Sequence, residues 1–278
     1  MDGVSAQFVR ASPHPALAGA VLRHTGYAER APAPVSFLEL PCTYAPVIID
    51  LDAGWSIADG RRPERPAVRL GSFVAGLTDG PVLVEHGGSA RCLQVDLTPL
   101  AARQLLGVPM SELANRSVAL EDVLGPSAGG LVERVADAPG WAARFALVER
   151  ALAARLADAA PVDPGVAWSF GRLARSGGAA AIGGLARELG WSHRRLIGRF
   201  RDALGLPPKR VARILRFEGV VALVEARAPI DWARAAADLG YFDQAHLARE
   251  VRELSGLTPT ALRAARANSV QDPAPPAA

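Results

Sequence analysis

Apolar and polar positions along the chain follow two different periods. In ARCLQVDLTP (90–99) they alternate: Leu93, Val95 and Leu97 face one side, and Cys92, Gln94 and Asp96 the other, the pattern of a strand. VSFLELPCTYAPVIIDL (35–51), LGSFVAGL (70–77) and PVLVEHGG (81–88) are short apolar runs broken by Gly, Pro and Asp. Residues 35–97 therefore read as short strands of a sandwich or small barrel. From residue 99 the period becomes helical. PLAARQLLGV opens on Pro99 and ends near Gly107, and Trp141, Phe145, Val148, Leu152 and Leu156 form one stripe along 140–159. That stripe suits packing within the chain or a dimer seam, with packing favoured. PVDPG (161–165) breaks the pattern and marks a domain boundary. Residues 1–34, rich in Pro, Ala and Gly, read as an irregular leader, and NSVQDPAPPAA (268–278) as a disordered tail.

Composition narrows this α+β reading. The 278 residues suffice for two domains, and half of them are hydrophobic. There is no eighteen-residue apolar run and no basic-then-apolar leader, so a cytoplasmic protein without membrane contact is expected. Cys42 and Cys92 are too few for a disulfide scaffold. The net charge of +3 is unevenly placed: residues 1–170 carry −4 and residues 171–278 carry +7. A basic C-terminal region beside an acidic remainder points to nucleic acid. Nearly all of that positive charge is arginine, with Lys209 the only lysine; arginine suits bidentate contact with phosphate or guanine, although a GC-rich genome favours arginine too.

The basic region contains a repeat. LARELGWSHRRLIGRFRDALGLPP (185–208) and AAADLGYFDQAHLAREVRELSGLTP (235–259) share their landmarks in order. Each has a small residue (Ala186, Ala236), a Leu-Gly pair (189–190, 239–240), an aromatic (Trp191, Tyr241) and a second helix with an apolar stripe. The stripes are Leu196, Phe200, Leu204 and Leu247, Val251, Leu254; Gly205 and Gly256 follow them. This is the grammar of a helix-turn-helix, with Ser192 and Asp243 as helix caps. Between the copies, PKRVARILRFEGVVALVEAR (208–227) predicts one rigid helix of about 30 Å, near the 34 Å of a DNA turn.

On these motifs residues 168–266 resemble the DNA-binding domain of the AraC/XylS family of bacterial transcription regulators. The resemblance implies an all-α domain, residues 165–267, of two helix-turn-helix units joined by a long helix. It implies double-stranded DNA as partner, and a β-rich N-terminal domain (35–125) with a helical segment and linker (126–164) that senses a small-molecule effector or forms a homodimer. RNA polymerase is a further partner of such regulators. VEHGGSARCLQVDLTPLAARQLLGVPMSELANRSVALEDVLG (84–125) looks like a sensor subgroup in which helices follow the β-rich part. Base contacts are implied at Arg194, Ile197 and Gly198 and at Gln244, Ala245 and Arg249. A helical wheel turns these outward or to the flank, at 100° per residue. Arg195, Arg201, Lys209 and Arg252 suit phosphate. Arg194 aligns with Ala245 and Gly198 with Arg249, so the two half-sites should differ. Val251 stands where the family usually has phenylalanine, and looser packing of that unit is expected.

Other chemistry fits less well. Asp243, His246 and Glu250 have the spacing of metal ligands or an acid–base pair on a helix. The repeat instead makes Asp243 a cap and aligns His246 and Glu250 with Arg195 and Arg199, so no metal geometry is implied. A cupin-like metal enzyme would need clustered histidines, whereas the first half offers His86 with His14 and His24 in the leader. A DNA-repair methyl acceptor would need a zinc-binding cysteine cluster, and two cysteines fifty residues apart do not make one. No cofactor, metal or catalytic residue is expected. Tyr44, Trp55 and Phe73 could line an effector pocket, with core packing the plainer account. An N-terminal domain that only dimerises or contacts protein remains open.

Overall fold

A computed structural model describes residues 5–62 and 64–267 of the chain. Its strands are β1 (Ser5–Ala11), β2 (Val21–Arg30), β3 (Val35–Glu39), β4 (Ala45–Asp50), β5 (Trp55–Asp59), β6 (Val68–Leu70), β7 (Phe73–Ala75), β8 (Val82–His86), β9 (Ser89–Leu97) and β10 (Ser117–Ala119). Among the described residues they build two sheets, in the orders β1-β2-β9-β4-β7-β10 and β3-β8-β5-β6, with antiparallel pairing throughout. The helices are α1 (Pro99–Leu106), α2 (Leu120–Leu124), α3 (Ser127–Asp137), α4 (Trp141–Ala157), α5 (Pro164–Arg175), α6 (Ile182–Glu188), α7 (His193–Leu204), α8 (Pro208–Glu225), α9 (Trp232–Asp238), α10 (Gln244–Ser255) and α11 (Pro259–Ala267).

The larger sheet is covered on both faces, which is why its strands carry apolar residues at successive positions. One face presents Val47, Ile49, Leu93, Val95 and Leu97 to α1, α3 and α4. The other presents Tyr27, Ile48, Phe73 and Cys92 to Trp55 and Ile57 of the smaller sheet. The stripe of α4 is spent here: Phe145 and Val148 are buried, and Trp141, Leu152 and Leu156 pack beside them. Trp141 lies so close over Gly26 of β2 that a β-carbon there would stand 2.4 Å from its ring. Only glycine fits beneath it.

Of the expected irregular leader, residues 1–4 lie outside the described residues, and the rest is not irregular. Residues 5–11 and 21–30 are β1 and β2, and β2 pairs with β9 along nearly its whole length. The strand signal was masked because β2 buries polar side chains, His24, Thr25 and Glu29, among its apolar ones. Residues 35–51 divide into β3 and β4, which belong to different sheets, and β10 returns to the larger sheet within a stretch that reads as helical. The tail, 268–278, lies outside the described residues.

The two domains share core. Leu77, Leu100 and Ala114 pack into the cluster built by α5, α6, α7 and α8, and Leu40 packs with the cluster of α8, α9, α10 and α11. Gly205 adopts φ +84°, and a β-carbon there would be 2.8 Å from the carbonyl oxygen of Met110. Arg103 pairs with Asp202 at 3.5 Å and Arg210 with Asp79 at 3.3 Å. The connector 40–44 crosses onto α8, where the backbone N–H of Thr43 donates to Glu218 at 2.6 Å and its hydroxyl at 2.9 Å.

Candidate nucleic-acid interface

The C-terminal region contains the same local structure twice. In the first copy the N–H of Trp191 donates to Ala186 at 2.9 Å; in the second, Tyr241 donates to Ala236 at the same distance. Gly190 (φ +64°) and Gly240 (φ +73°) make the turns, in the left-handed region that a side chain resists. Ser192 then caps α7 by accepting from the N–H of Arg195, and Asp243 caps α10 by accepting from that of His246. Gly205 and Gly256 end the helices, donating to the carbonyls of Arg201 and Arg252.

Burial fixes which face each helix offers. Leu196, Phe200 and Leu204 are fully buried on α7, as are Leu247 and Val251 on α10. Opposite them, Arg194 and Gly198 are exposed and Ile197 is half-buried; Gln244, Ala245 and Arg249 are all exposed. A β-carbon at Gly198 would meet nothing within 4 Å, so the backbone of α7 is open to close approach there. Arg195, Arg201, Lys209 and Arg252 are exposed too, and the Arg195 guanidinium lies 4.7 Å from the centre of the Trp191 ring. The two faces together carry cations and hydrogen-bonding groups at the N-terminal ends of two capped helices, which is what major-groove reading requires. The connecting helix α8 has eighteen residues, about 27 Å.

Glu250 has a role that its alignment with Arg199 concealed. It is only 7% exposed and accepts from Arg213 at 2.7 Å and from Arg216 at 3.3 Å, both on α8. Arg213 also binds Glu253, and Arg216 donates to the carbonyl of Gly178 at 3.1 Å and lies over the Tyr241 ring. His246 Nε2 approaches Glu250 at 3.7 Å. The carboxylate–imidazole group is thus part of an ionic joint between α8 and α10. The i, i+4 spacing of His246 and Glu250 was readable; the two arginines thirty-odd residues earlier were not.

In the N-terminal domain the three proposed pocket residues are not brought together. Trp55 and Phe73 are buried in the core between the sheets, and Trp55 donates to Asp50 at 3.0 Å. Tyr44 lies apart, under the Arg23 guanidinium at 5.8 Å. Period-two reading could not tell an aromatic in a filled interior from one lining a cavity. A cleft of about 610 Å³ lies elsewhere, between α1, the α4–α5 connector and α7, lined by Arg103, Arg155, Asp158, Asp163, Arg199 and Asp202. Arg199 and Asp163 are 3.5 Å apart across it.

Between the sheets Arg23 pairs with Asp96 at 2.5 Å, and Gln94 donates to the other Asp96 oxygen at 2.8 Å. Burial raises the Asp96 carboxyl against the pull of Arg23. Tyr27 donates to Glu29, which is 2.8 Å from His86; burial, then Glu29, pushes the Tyr27 hydroxyl up. His24 points to the opposite face of the sheet, against Phe145 and 3.2 Å from Glu149, and burial lowers its pKa. His14 caps a turn at Pro15–Leu17. His14 and His24 therefore meet at Glu149, which also accepts from the His14 backbone N–H at 2.8 Å, while His86 lies with Glu29 on the other face of the sheet.

Residues 185–265 match the family described as a helix-turn-helix domain. They form an AraC-type DNA-binding domain. No curated protein matches the chain. Among solved structures, the chain is similar to the C-terminal domain of AraT, a response regulator from Geobacillus stearothermophilus. The identity is 18% over 41% of this chain and 94% of that one, with a TM-score of 0.36. It is also similar to ToxT from Vibrio cholerae O395, at 8% identity over 97% of this chain and 100% of that one, TM-score 0.47. An unsaturated-fatty-acid-bound ToxT from Vibrio cholerae strain SCE256 matches at 6% identity over 98% and 99%, TM-score 0.47. With an AraC-type domain the chain is a DNA-binding transcription regulator. Among the described residues no helix is long and apolar enough to cross a membrane.

Proposed function

We propose that the chain is a sequence-specific regulator, acting in the cytoplasm by binding and without catalysis, whose α7 and α10 read successive major grooves. One observation carries this reading: two capped helices bury their apolar stripes and leave Arg194, Gly198, Gln244, Ala245 and Arg249 open. Arg194 and Arg249 offer bidentate donors for guanine O6 and N7, and Gln244 offers its amide to adenine. Arg195, Arg201, Lys209 and Arg252 hold the flanking phosphates, giving affinity that falls with salt. The arginines sit at different levels on the two helices, so the two half-sites bound by one protomer differ. Selection of bound duplexes from a random pool, followed by footprinting, tests this. Two identical half-sites per protomer would overturn it.

The N-terminal domain, in this reading, senses a small-molecule effector and passes its state to DNA. The support is the polar interior between the sheets together with the connector 40–44, which joins β3 to β4 and touches α8 through Thr43. The competing reading, a domain that only dimerises or meets protein such as RNA polymerase, is favoured by the way those interior groups already pair with one another. A homodimer would need a surface other than the α4 stripe, which is used within the chain. Thermal shift against a metabolite panel separates the two: a stabilising hit supports sensing, and none supports the interaction domain.

A further inference from the structure

The two helix-turn-helix copies differ by one residue at their most exposed point. Between the turn glycine and the capping residue the first copy has Trp191 alone, whereas the second has Tyr241 and Phe242. Tyr241 turns inward and is 5% exposed; Phe242 turns outward and is 92% exposed. Leaving a phenylalanine in water forgoes burial that this fold offers its other aromatics.

The peptide that carries Phe242 is held. Its N–H donates to His246 Nδ1 at 3.2 Å, and the His246 ring meets Tyr241 edge-on at 5.4 Å. His246 Nε2 lies 3.7 Å from Glu250, which is fastened to Arg213 and Arg216 of α8. The side chain thus projects from a fixed point, directly ahead of Asp243, Gln244 and Ala245 at the N-terminal end of α10. Those exposed neighbours are polar or small, so Phe242 heads no apolar patch of the kind that marks a protein-binding surface. In the major groove the apolar feature is the 5-methyl group of thymine, and phenylalanine is among the side chains that contact it.

We propose that Phe242 is a specificity-determining residue that contacts a thymine methyl beside the second half-site, and that His246 is the positioning residue that aims it. The proposal rests on α10 being a reading helix. It is tested with the full chain on a duplex selected from a random pool, in which each thymine of the second half-site is replaced in turn by uracil, which lacks only the methyl. One replacement should weaken wild-type binding about five- to tenfold. Phe242→Ala should show the same loss on the thymine duplex and no further loss on the uracil duplex. Phe242→Leu, still apolar, should keep part of the discrimination. His246→Ala should reduce the thymine-to-uracil ratio while preferences at other positions stand, and His246→Asn, which can again accept from the Phe242 N–H, should restore part of it. Since Phe242 is outside the core, its variants fold.

If Phe242→Ala distinguishes thymine from uracil as well as the wild type does, or weakens every duplex equally, the thymine contact is wrong. If it leaves DNA binding intact and lowers only transcription, Phe242 meets a protein and the proposal fails. If His246→Ala leaves the ratio unchanged, the positioning role fails. A wild-type chain that selects no sequence would sink the DNA-reading assignment itself, an outcome distinct from all the others.

Discussion

The two helix-turn-helix units share their turns, caps and stops, and differ in what holds them. The first is set in apolar material: Phe200, Leu196 and Leu204 pack with α5, α6 and α8 and with Leu77, Leu100 and Ala114 of the N-terminal domain. Among the described residues the second takes only Leu40 from that domain into its cluster, and it is fastened to α8 by Glu250, Arg213 and Arg216. One sequence grammar thus yields a unit welded to the β domain and a unit tied by charge. Val251, in place of a larger aromatic, is fully buried in that second core. The ionic joint alongside it gives α10 a fixed seat with less apolar volume. Because the cluster of α10 takes so little from the β domain, the seat of α10 is the less constrained of the two by that domain.

The comparison breaks first at its apolar side. Phe200→Ala should cost about 3–5 kcal/mol, a large core truncation, and should loosen the N-terminal domain with the first unit because the core is shared. Denaturant unfolding read both by α-helical signal and by fluorescence, in a background that keeps Trp55 as its sole tryptophan, checks it. Loss confined to the helical signal would mean that the two domains do not share stability.

Next comes the ionic joint. Glu250→Ala leaves Arg213 and Arg216 without their shared carboxylate, at a cost of about 3 kcal/mol, since both arginines are still reached by water. Amide exchange should rise in α9, α10 and α11 and stay unchanged in α6 and α7. Equal exchange in both units would show that the joint is not specific to the second. Glu250→Gln, which keeps one acceptor, should fall between.

The third test concerns reading rather than holding. Arg249→Ala should lose about 1–3 kcal/mol of discrimination at one base pair of the second half-site and leave the first half-site's preferences as they were. Arg194→Ala should do the converse. Uniform weakening on all sequences, with the salt slope reduced by about one, would mean phosphate contact.

These differences bear on what could be read from the chain. The repeat, both caps, both turn glycines and the outward faces were legible because they are local: each depends on residues within one or two turns. The apolar β period was legible where one face carried it, as in 90–99. It was not legible in β2, where buried His24, Thr25 and Glu29 break the alternation. Their partners, Glu149, Glu29's own contact His86, and the neighbouring strand, lie far along the chain. The same holds for Glu250, whose buried state depends on arginines of another helix. The places of the effector-pocket candidates were not legible for a related reason: Trp55 and Phe73 lie in the core between the sheets, and whether a space is filled is decided by the opposite sheet.

The smallest effect tests the contact between the connector 40–44 and α8. Desolvation of Glu218 outweighs the hydrogen bonds from Thr43 and raises its carboxyl to about 7 from an ordinary value near 4.5. The docked state therefore keeps a proton that a freed Glu218 would release. Docking is strongest below the ordinary value and weakens as the pH rises through about 7, by the linkage between proton binding and stability. Water still reaches the side chain, so the loss should be about 1 kcal/mol rather than the full value of the shift. Glu218→Gln stays neutral and its amide oxygen still accepts from Thr43, so its stability should vary less between pH 5 and 8. Unfolding midpoints of both proteins at four pH values give the comparison. The wild type should lose ground to the variant as the pH rises, and parallel curves would show that the connector leaves α8 without any change in protonation.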